Sequence, residues 1–144
     1  MPQQVFLNIR ITDLPPSIAF YEAIGFTRHP HFHDETTVCM TVAGEPQNIH
    51  VMLIKPDRFR DFCPPAKSVA DPKTTTEILM ALSADRREEV DEMVEKATRA
   101  GGKADPSKIT QMEGMYGRSF EDLDGHVWEI VWVDVEAMAK AGQA

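Results

Sequence analysis

The stretch Phe120–Glu129 reads FEDLDGHVWE and decides how the second half of the chain folds. Its Asp124-Gly125 pair predicts a tight turn between two strands, because glycine adopts the turn conformation without steric cost. The flanking segments, 114–121 and 126–133, are therefore predicted to be strands. Alternation along the last strand places Glu129 on one face between two valines, and both tryptophans on the other face.

A strand and an amphipathic helix are predicted to precede this hairpin. The strand covers Thr76–Ala84, and Asp85 caps the following helix with Glu88 three residues later, as in a capping box. One apolar stripe at helical spacing lies on this helix, formed by Val90, Met93, Val94 and Ala97. Gly101-Gly102 ends the helix, and a short extended segment follows near Lys103.

The first half of the chain predicts the same order of elements. A strand over Val5–Thr12 is followed by Asp13, which caps a helix that ends at Gly25. Three extended segments come next, predicted over 26–33, 36–42 and 49–55. Asp13 corresponds to Asp85, 72 positions later, and Gly25 to Gly101, 76 positions later. The chain is therefore interpreted as a duplicated β-α-β-β-β unit.

These elements predict a single domain of residues 1–144 built from two modules. The first module covers 4–56 and the second covers 76–134. The proline-containing segment 57–75 is interpreted as a connector, with a short helix at 58–62, and 135–144 as a C-terminal tail.

Composition restricts the function classes. The 144 residues carry 15 basic and 23 acidic side chains, a net charge of −8, without a basic cluster, which argues against nucleic-acid binding. No apolar run is long enough for a membrane span, and the first residues do not have the pattern of a signal peptide. Cys39 and Cys63 are interpreted as free thiols, which predicts a cytoplasmic protein.

Two motifs resemble the vicinal oxygen chelate superfamily, which includes glyoxalase I, bleomycin-resistance proteins, fosfomycin-resistance enzymes and extradiol dioxygenases. The first motif is Asp13-Leu14, Ser17, Phe20-Tyr21 and Gly25-Phe26, and the second is Phe120–Glu129. The usual turn of the family is Asp-Pro-Asp-Gly, and here Leu123 replaces the proline. The resemblance covers the whole chain.

The resemblance implies an α+β fold in which two tandem β-α-β-β-β modules form a cupped mixed sheet. It implies metal ligands on the first and fourth strands of each module and substrates that chelate the metal through neighbouring oxygens. It also implies a homodimer. Glu129 lies where the family carries a carboxylate ligand, so it is the candidate metal ligand or catalytic base.

A carboxylate between valines needs a cation, a hydrogen-bond donor or a proton, so its partner is a metal, Arg10 or Arg118. Alternation brings other candidate ligand-binding residues into the same cup, namely Phe6, Asn8, Arg10, Met52 and Leu79. Tyr116 and Arg118 share a strand face and are expected either to contact a ligand at the cavity mouth or to pack at a dimer contact.

Two strand registers lead to opposite expectations for a metal. In the first, the ligand positions fall on Phe6, Met52 and Leu79, none of which suits a hard divalent ion, so no cofactor is predicted. In the second, shifted by two residues, they fall on Asn8, His50 and Glu77, which with Glu129 form a mixed oxygen and imidazole set for a divalent metal.

The alternating His29, His31 and His33 are expected to share one face of a solvated or rim strand, because the outer two are about 13 Å apart, too far for one metal. His126 is expected beside the turn, facing away from the cup. Cys39 is interpreted as a small buried hydrophobe, and Cys63 as a thiol in a proline-rich loop.

Three functions fit this sequence. One is a lyase-like or dioxygenase-like enzyme that acts on a small organic molecule. The second is a metal-free protein that sequesters a drug, as bleomycin-resistance proteins do, and an acidic chain suits a cationic drug. The third is a metal-independent enzyme with Glu129 as its base. No nucleic-acid or membrane partner is expected.

Overall fold

The computed structural model describes residues 3–109, 111–140 and 142. Its first unit, Met1–Asp71, contains β1 (Val5–Arg10), α1 (Leu14–Ala23), β2 (Thr27–Arg28), β3 (Thr37–Thr41), β4 (Ile49–Ile54) and α2 (Pro56–Phe62). The strands form a mixed sheet in the order β1-β4-β3-β2, in which only the β1–β4 pair is parallel.

The second unit, Pro72–Ala144, contains β5 (Met80–Ala84), α3 (Arg87–Arg99), β6 (Lys103–Ala104), β7 (Met115–Glu121), β8 (Val127–Val133) and α4 (Val135–Lys140). Its sheet has the equivalent order, β5-β8-β7-β6, with β5 and β8 parallel. The predicted α+β fold with two β-α-β-β-β modules is confirmed.

One face of each sheet is covered by its own helix, as the hydrophobic alternation predicts. In the first unit, α1 buries Leu14, Phe20 and Tyr21 and packs on β3 and β4, which bury Met40 and Leu53. In the second unit, α3 packs mainly on β7 and buries its predicted stripe at Val90, Val94 and Ala97. The face without the helix is called the open face of each sheet below.

The helix ends follow backbone geometry that the glycines permit. Gly25 and Gly101 have φ angles of 103° and 102°, the left-handed conformation that glycine adopts most easily, and each lies directly after a helix C-cap. Asp13 is the N-cap of α1, as predicted, although its side chain makes no capping hydrogen bond.

The start of α3 differs from the prediction. Arg86 is the N-cap, because its backbone is still extended, so the helix begins one residue later than expected from a cap at Asp85. The backbone N–H of Asp85 donates to Glu89 Oε2 at 2.9 Å, and Glu88 instead lies 3.7 Å from the Arg86 guanidinium. The capping-box pairing with Glu88 was therefore wrong.

Two predicted strands are shorter than expected. The strand over 26–33 ends at Arg28, because Pro30 follows closely, Phe32 adopts a φ of 59°, and Asp34 Oδ1 accepts a hydrogen bond from the Thr36 N–H in a side-chain turn. The strand over 76–84 begins only at Met80.

The segments outside the two modules carry short helices. The short helix predicted within the connector is present as α2, and it begins at Pro56, where proline suits the first helical position. The expected tail contains α4, whose first turn is closed by a hydrogen bond from the Ala137 N–H to Asp134 Oδ1. In the described part of the chain, none of the helices is long and apolar enough to cross a membrane.

Candidate functional site

Glu129 lies on the open face of the second sheet, as the third of the seven residues of β8. Its pairing partners are Ala81 on β5 and Ser119 on β7, and its neighbours on the same face are Val127 and Val131. The other face of β8 carries Trp128 and Ile130 into the core. The predicted orientation of this strand is therefore correct.

The carboxylate of Glu129 is half-buried and unpartnered. Within 3–109, 111–140 and 142, it makes no hydrogen bond and no ion pair. Neither arginine predicted as a partner is paired with it. Arg10 lies 3.5 Å from Asp71, and Arg118 pairs with Asp91 and Asp105. A partly buried carboxylate without a protein partner is available to a ligand that offers a positive charge or an N–H donor.

Small residues surround Glu129 on this open face. A Cβ built on Gly117 would lie 3.3 Å from Val131 Cγ2, a tight contact, so a larger residue there would crowd Val131 on this face. The hydroxyl of the fully buried Ser119 already pairs with the Ser107 backbone. Among the described residues, Glu129 itself has no hydrogen-bond or ion-pair partner on this face.

Tyr116 and Arg118 lie on the opposite face of the same sheet. The Tyr116 hydroxyl donates to Asp91 Oδ1 at 2.7 Å, and the Arg118 guanidinium donates to the same oxygen at 2.9 Å, both against α3. These bonds, the Tyr116 bond first, lower the pKa of Asp91. The structure therefore does not bring these two predicted ligand-binding residues together with Glu129.

The open face of the first sheet carries three of the other predicted site residues, Phe6, Asn8 and Arg10, along β1. Phe6 pairs with His50 and Asn8 pairs with Met52, both on β4. The Phe6 ring stacks on the His50 imidazole with centroids 4.8 Å apart, and Phe6 remains 40% exposed. This face is therefore more aromatic than the face that carries Glu129.

His50 is buried and both of its ring nitrogens are occupied. Nδ1 lies 3.0 Å from Thr41 Oγ1, and Nε2 lies 2.7 Å from Gln4 Oε1, so Nε2 donates to the amide oxygen and Nδ1 accepts from the hydroxyl. Burial, and then the neighbouring His29, lower the pKa of His50. A metal would have to replace one of these two hydrogen bonds.

The registers show which positions of the two modules correspond. Met52 lies between Asn8 and Cys39, and Glu129 lies between Ala81 and Ser119, so Met52 is the counterpart of Glu129 and Asn8 that of Ala81. Leu79 and Glu77 both precede β5, and Ala81 rather than either of them is the partner of Glu129.

The donor set does not fit the metal site that the family resemblance implies. The positions that correspond across the two sheets hold Asn8, Met52, Ala81 and Glu129, so one amide and one carboxylate stand beside a thioether and a methyl group. Hard divalent ions need several oxygen or imidazole donors. Among the residues that the structure describes, no three His, Cys, Asp or Glu side chains come together in a way that could hold a metal ion.

The other histidines and cysteines are exposed, locally hydrogen-bonded or buried. His31 donates its backbone N–H to His29 Nδ1 at 3.0 Å, and the expected alternation through His33 on one strand was wrong because β2 ends at Arg28. Cys39 is fully buried, which raises the pKa of its thiol to about 11, and the Cys63 thiol donates to the Phe59 carbonyl.

His126 lies beside the turn, as expected, and its Nδ1 contacts the buried Asp122 carboxylate at 2.8 Å. The carboxylate also accepts the backbone N–H groups of Asp124 and His126, so it fixes the turn that starts β8. Sequence reasoning did not identify Gln4 as a partner of His50 or Ser107 as a partner of Ser119, because no local pattern marks contacts between distant segments.

Comparison with solved structures shows the same fold in several proteins. A hypothetical protein, SA1046 from S. aureus, is 30% identical with a TM-score of 0.72, over 92% of this chain and 95% of that chain. The fosfomycin resistance protein FosX from Listeria monocytogenes, complexed with Mn(II) and sulfate, is 17% identical with a TM-score of 0.67, and the match covers 99% of this chain and 97% of that chain. TnmS3, an antibiotic binding protein from Streptomyces sp. CB03234, is 18% identical with a TM-score of 0.59, and the match covers 92% of this chain and 97% of that chain.

No curated protein gave a significant match. The family profile described as Glyoxalase/Bleomycin resistance protein/Dioxygenase superfamily matches residues 3–130, which include the first sheet, most of the second sheet and the motifs quoted above. The chain therefore belongs to the glyoxalase/bleomycin resistance/dioxygenase superfamily.

Proposed function

We propose that the protein binds a small organic molecule on the open face of its second sheet, with Glu129 as the recognition group. The observation that carries this proposal is the half-buried Glu129 carboxylate, which has no hydrogen-bond or ion-pair partner among the described residues. A ligand that supplies a positive charge or an N–H donor would give this carboxylate the partner that it lacks. The net charge of −8 also attracts cations.

Binding without the divalent metal of the family is part of this proposal. Phe6 and Leu79 offer no donor atom, Met52 offers only a soft thioether, and both nitrogens of His50 are already hydrogen-bonded. Glu129 alone cannot hold such an ion. We therefore derive no lyase or dioxygenase step that passes through a metal.

Proteins with this fold include one described as a binding protein and one solved with a bound metal. TnmS3 is an antibiotic binding protein, and FosX is a fosfomycin resistance protein solved with Mn(II). The residues at the positions of the family's metal ligands in this chain favour binding without a metal. The sequestering function is therefore the leading candidate.

The experiment compares probes that share a ring and differ in charge: benzylamine, benzyl alcohol and benzoate. Thermal unfolding and calorimetry should show stabilisation and saturable binding with benzylamine, and little with benzoate. The benzylamine response should be lost in Glu129→Gln. It should persist in Glu95→Gln, which removes an exposed carboxylate on α3. Equal responses to benzylamine and benzoate, or an unchanged response in Glu129→Gln, would contradict the proposal.

A second candidate is metal-independent proton abstraction by Glu129, favoured by the small, apolar surroundings of this carboxylate. The test is hydrogen–deuterium exchange of hydroxyacetone in D₂O with EDTA present, followed by NMR. Exchange above the buffer rate that disappears in Glu129→Gln would support catalysis. No exchange above the buffer rate would set this candidate aside.

We also propose that the chain forms a homodimer in the cytoplasm, as the family resemblance implies. Sedimentation equilibrium of the full chain would show twice the 16.2 kDa mass of one chain if the dimer exists. A single species at the mass of one chain, at all concentrations tested, would exclude it. The two free cysteines, Cys39 and Cys63, suit a reducing compartment.

A further inference from the structure

Arg10, at the end of β1, carries a buried hydrogen-bond donor without an acceptor. Its Nε atom is buried and lacks a partner among the described residues, whereas the end of the guanidinium reaches Asp71 at 3.5 Å. Buried N–H groups are nearly always satisfied in folded proteins, and an exception needs an explanation such as a bound water or ion. The Nε–H therefore marks a place where an acceptor is missing.

The surroundings of Arg10 explain why Nε is buried. Arg10 pairs with Ile54, a fully buried residue of β4 on the same face, so the aliphatic part of the arginine lies along apolar surface. The side chain as a whole is 27% exposed, and it ends at the exposed carboxylate of Asp71. The side chain is partly exposed whereas Nε is buried, so an anion reaches Nε only if the guanidinium moves outward.

Asn8, two residues before Arg10 on the same face, is a second weakly satisfied donor. It is exposed, and its amide nitrogen makes one long hydrogen bond, 3.4 Å, to the Phe6 carbonyl oxygen. Alternate residues of a strand are about 7 Å apart, so both side chains can reach one small ligand. Neighbouring donors of this kind, one of them a guanidinium, match the geometry of an oxyanion.

We infer that the open face of the first sheet holds a site for a small oxyanion, a carboxylate or a phosphate, bound by the Nε–H and Nη–H groups of Arg10 with help from Asn8. The bound anion takes the acceptor role that is missing at Nε. Asp71 competes for the outer nitrogens and the protein is acidic, so binding is weak and decreases with salt. Glu129 lies on the other sheet.

The experiment follows arginine Nε–H signals in ¹H–¹⁵N spectra of the full-length protein. Sodium acetate and sodium phosphate are titrated separately at constant ionic strength, with chloride as the reference anion. The Arg10 signal, assigned by its absence in Arg10→Lys, should shift and saturate with acetate or phosphate. The signal of Arg118, whose Nε already donates to Asp105 at 3.0 Å, should stay in place. The anion that saturates the signal at lower concentration identifies the ligand class.

Variants measure the contribution of each residue. Arg10→Lys keeps the charge but removes the Nε–H and the planar fork, so the anion should bind about tenfold more weakly or worse. Asn8→Ala should weaken binding about threefold, the effect of one modest hydrogen bond. Arg28 is an exposed arginine on β2 that has no hydrogen-bond or ion-pair partner among the described residues. Arg28→Lys should therefore leave anion binding unchanged.

Two results would overturn the inference. In one, the Arg10 signal does not respond to acetate or phosphate beyond the effect of chloride, which would mean that water satisfies the donor. In the other, all arginine signals shift equally, which would mean nonspecific screening. Glu129→Gln should retain the anion response, so failure of this site and failure of the Glu129 site are distinguishable.

Discussion

Met52 and Glu129 occupy corresponding positions in the two units, and they differ in chemistry. Met52 lies on β4 and Glu129 on β8, and each of these strands lies between a parallel and an antiparallel neighbour in its sheet. In the first unit, the polar group on this strand is His50, two residues earlier, and it is buried with both nitrogens satisfied. In the second unit, the polar group is Glu129 itself, and it is unsatisfied among the described residues.

The same strand pairing can therefore hold a polar side chain that is hydrogen-bonded within the protein or one that is left without a protein partner. A satisfied polar group such as His50 stabilises its sheet and is not available to a ligand. An unsatisfied one such as Glu129 lowers stability and is available to a partner, which is the usual compromise between stability and function. The register alone does not distinguish the two cases, because the backbone pairing is equivalent.

The largest expected effect concerns the helix-covered faces. Trp128 is fully buried and stacks on Phe120, and its counterpart in the first unit is Val51, also fully buried. Trp128→Ala should lower the free energy of unfolding by about 3–5 kcal/mol. Val51→Ala should cost less, since two methyl groups contribute about 0.8 kcal/mol each before any cavity effect. Urea unfolding measures both, and equal losses would contradict the comparison.

The next effect comes from exchanging the two counterparts. Glu129→Met removes an unpartnered charge and should raise the free energy of unfolding by about 1 kcal/mol. Met52→Glu places a carboxylate on the first sheet and should lower it by about 1–3 kcal/mol. Both are measured by urea unfolding at pH 7. A destabilised Glu129→Met would show that the carboxylate already has a stabilising partner.

A smaller effect follows from the lowered pKa of His50, caused by burial and then by His29. The unfolded chain takes up the proton first, so the free energy of unfolding should fall as the pH decreases from about 6.5 towards the folded pKa. His50→Gln should remove this part of the pH dependence, although it also loses hydrogen bonds at every pH. The measurement is urea unfolding between pH 8 and 5. The matched control is His33→Gln, which changes an exposed histidine and should keep the wild-type slope.

The smallest effect concerns Asp91, whose pKa is lowered by Tyr116 and then by Arg118. The folded pKa lies below the unfolded value of 3.8, so this stabilisation is present above that pH and is lost as the pH falls through the folded pKa. The Asp91 side chain is 50% exposed, so Asp91→Asn should cost at most about 1 kcal/mol at pH 7 and less at a pH well below 3.8. An equal cost at both values would contradict the assignment, and Glu95→Gln serves as the control.

Much of the fold could be predicted because its signals are local. The capping position at Asp13, the helix ends before Gly25 and Gly101, and the turn at Asp124-Gly125 all follow from backbone preferences of single residues. The predicted capping pair of Asp85 and Glu88 is absent because Arg86 stays extended and is itself the N-cap. Residue propensities do not decide which of two neighbouring residues caps a helix. The strand predicted over 26–33 was too long because Phe32 adopts a positive φ angle, which residues other than glycine rarely do, so β2 ends at Arg28.

The sequence alone determined the duplicated modules and the face on which Glu129 lies, because strand alternation and turn chemistry act over a few residues. Only the tertiary structure decided which polar groups are satisfied. Arg118 pairs with Asp91 and Asp105, His50 pairs with Gln4 and Thr41, and Glu129 is left without a partner among the described residues. Contacts of this kind join segments far apart in the chain, so they depend on packing and register rather than on local pattern.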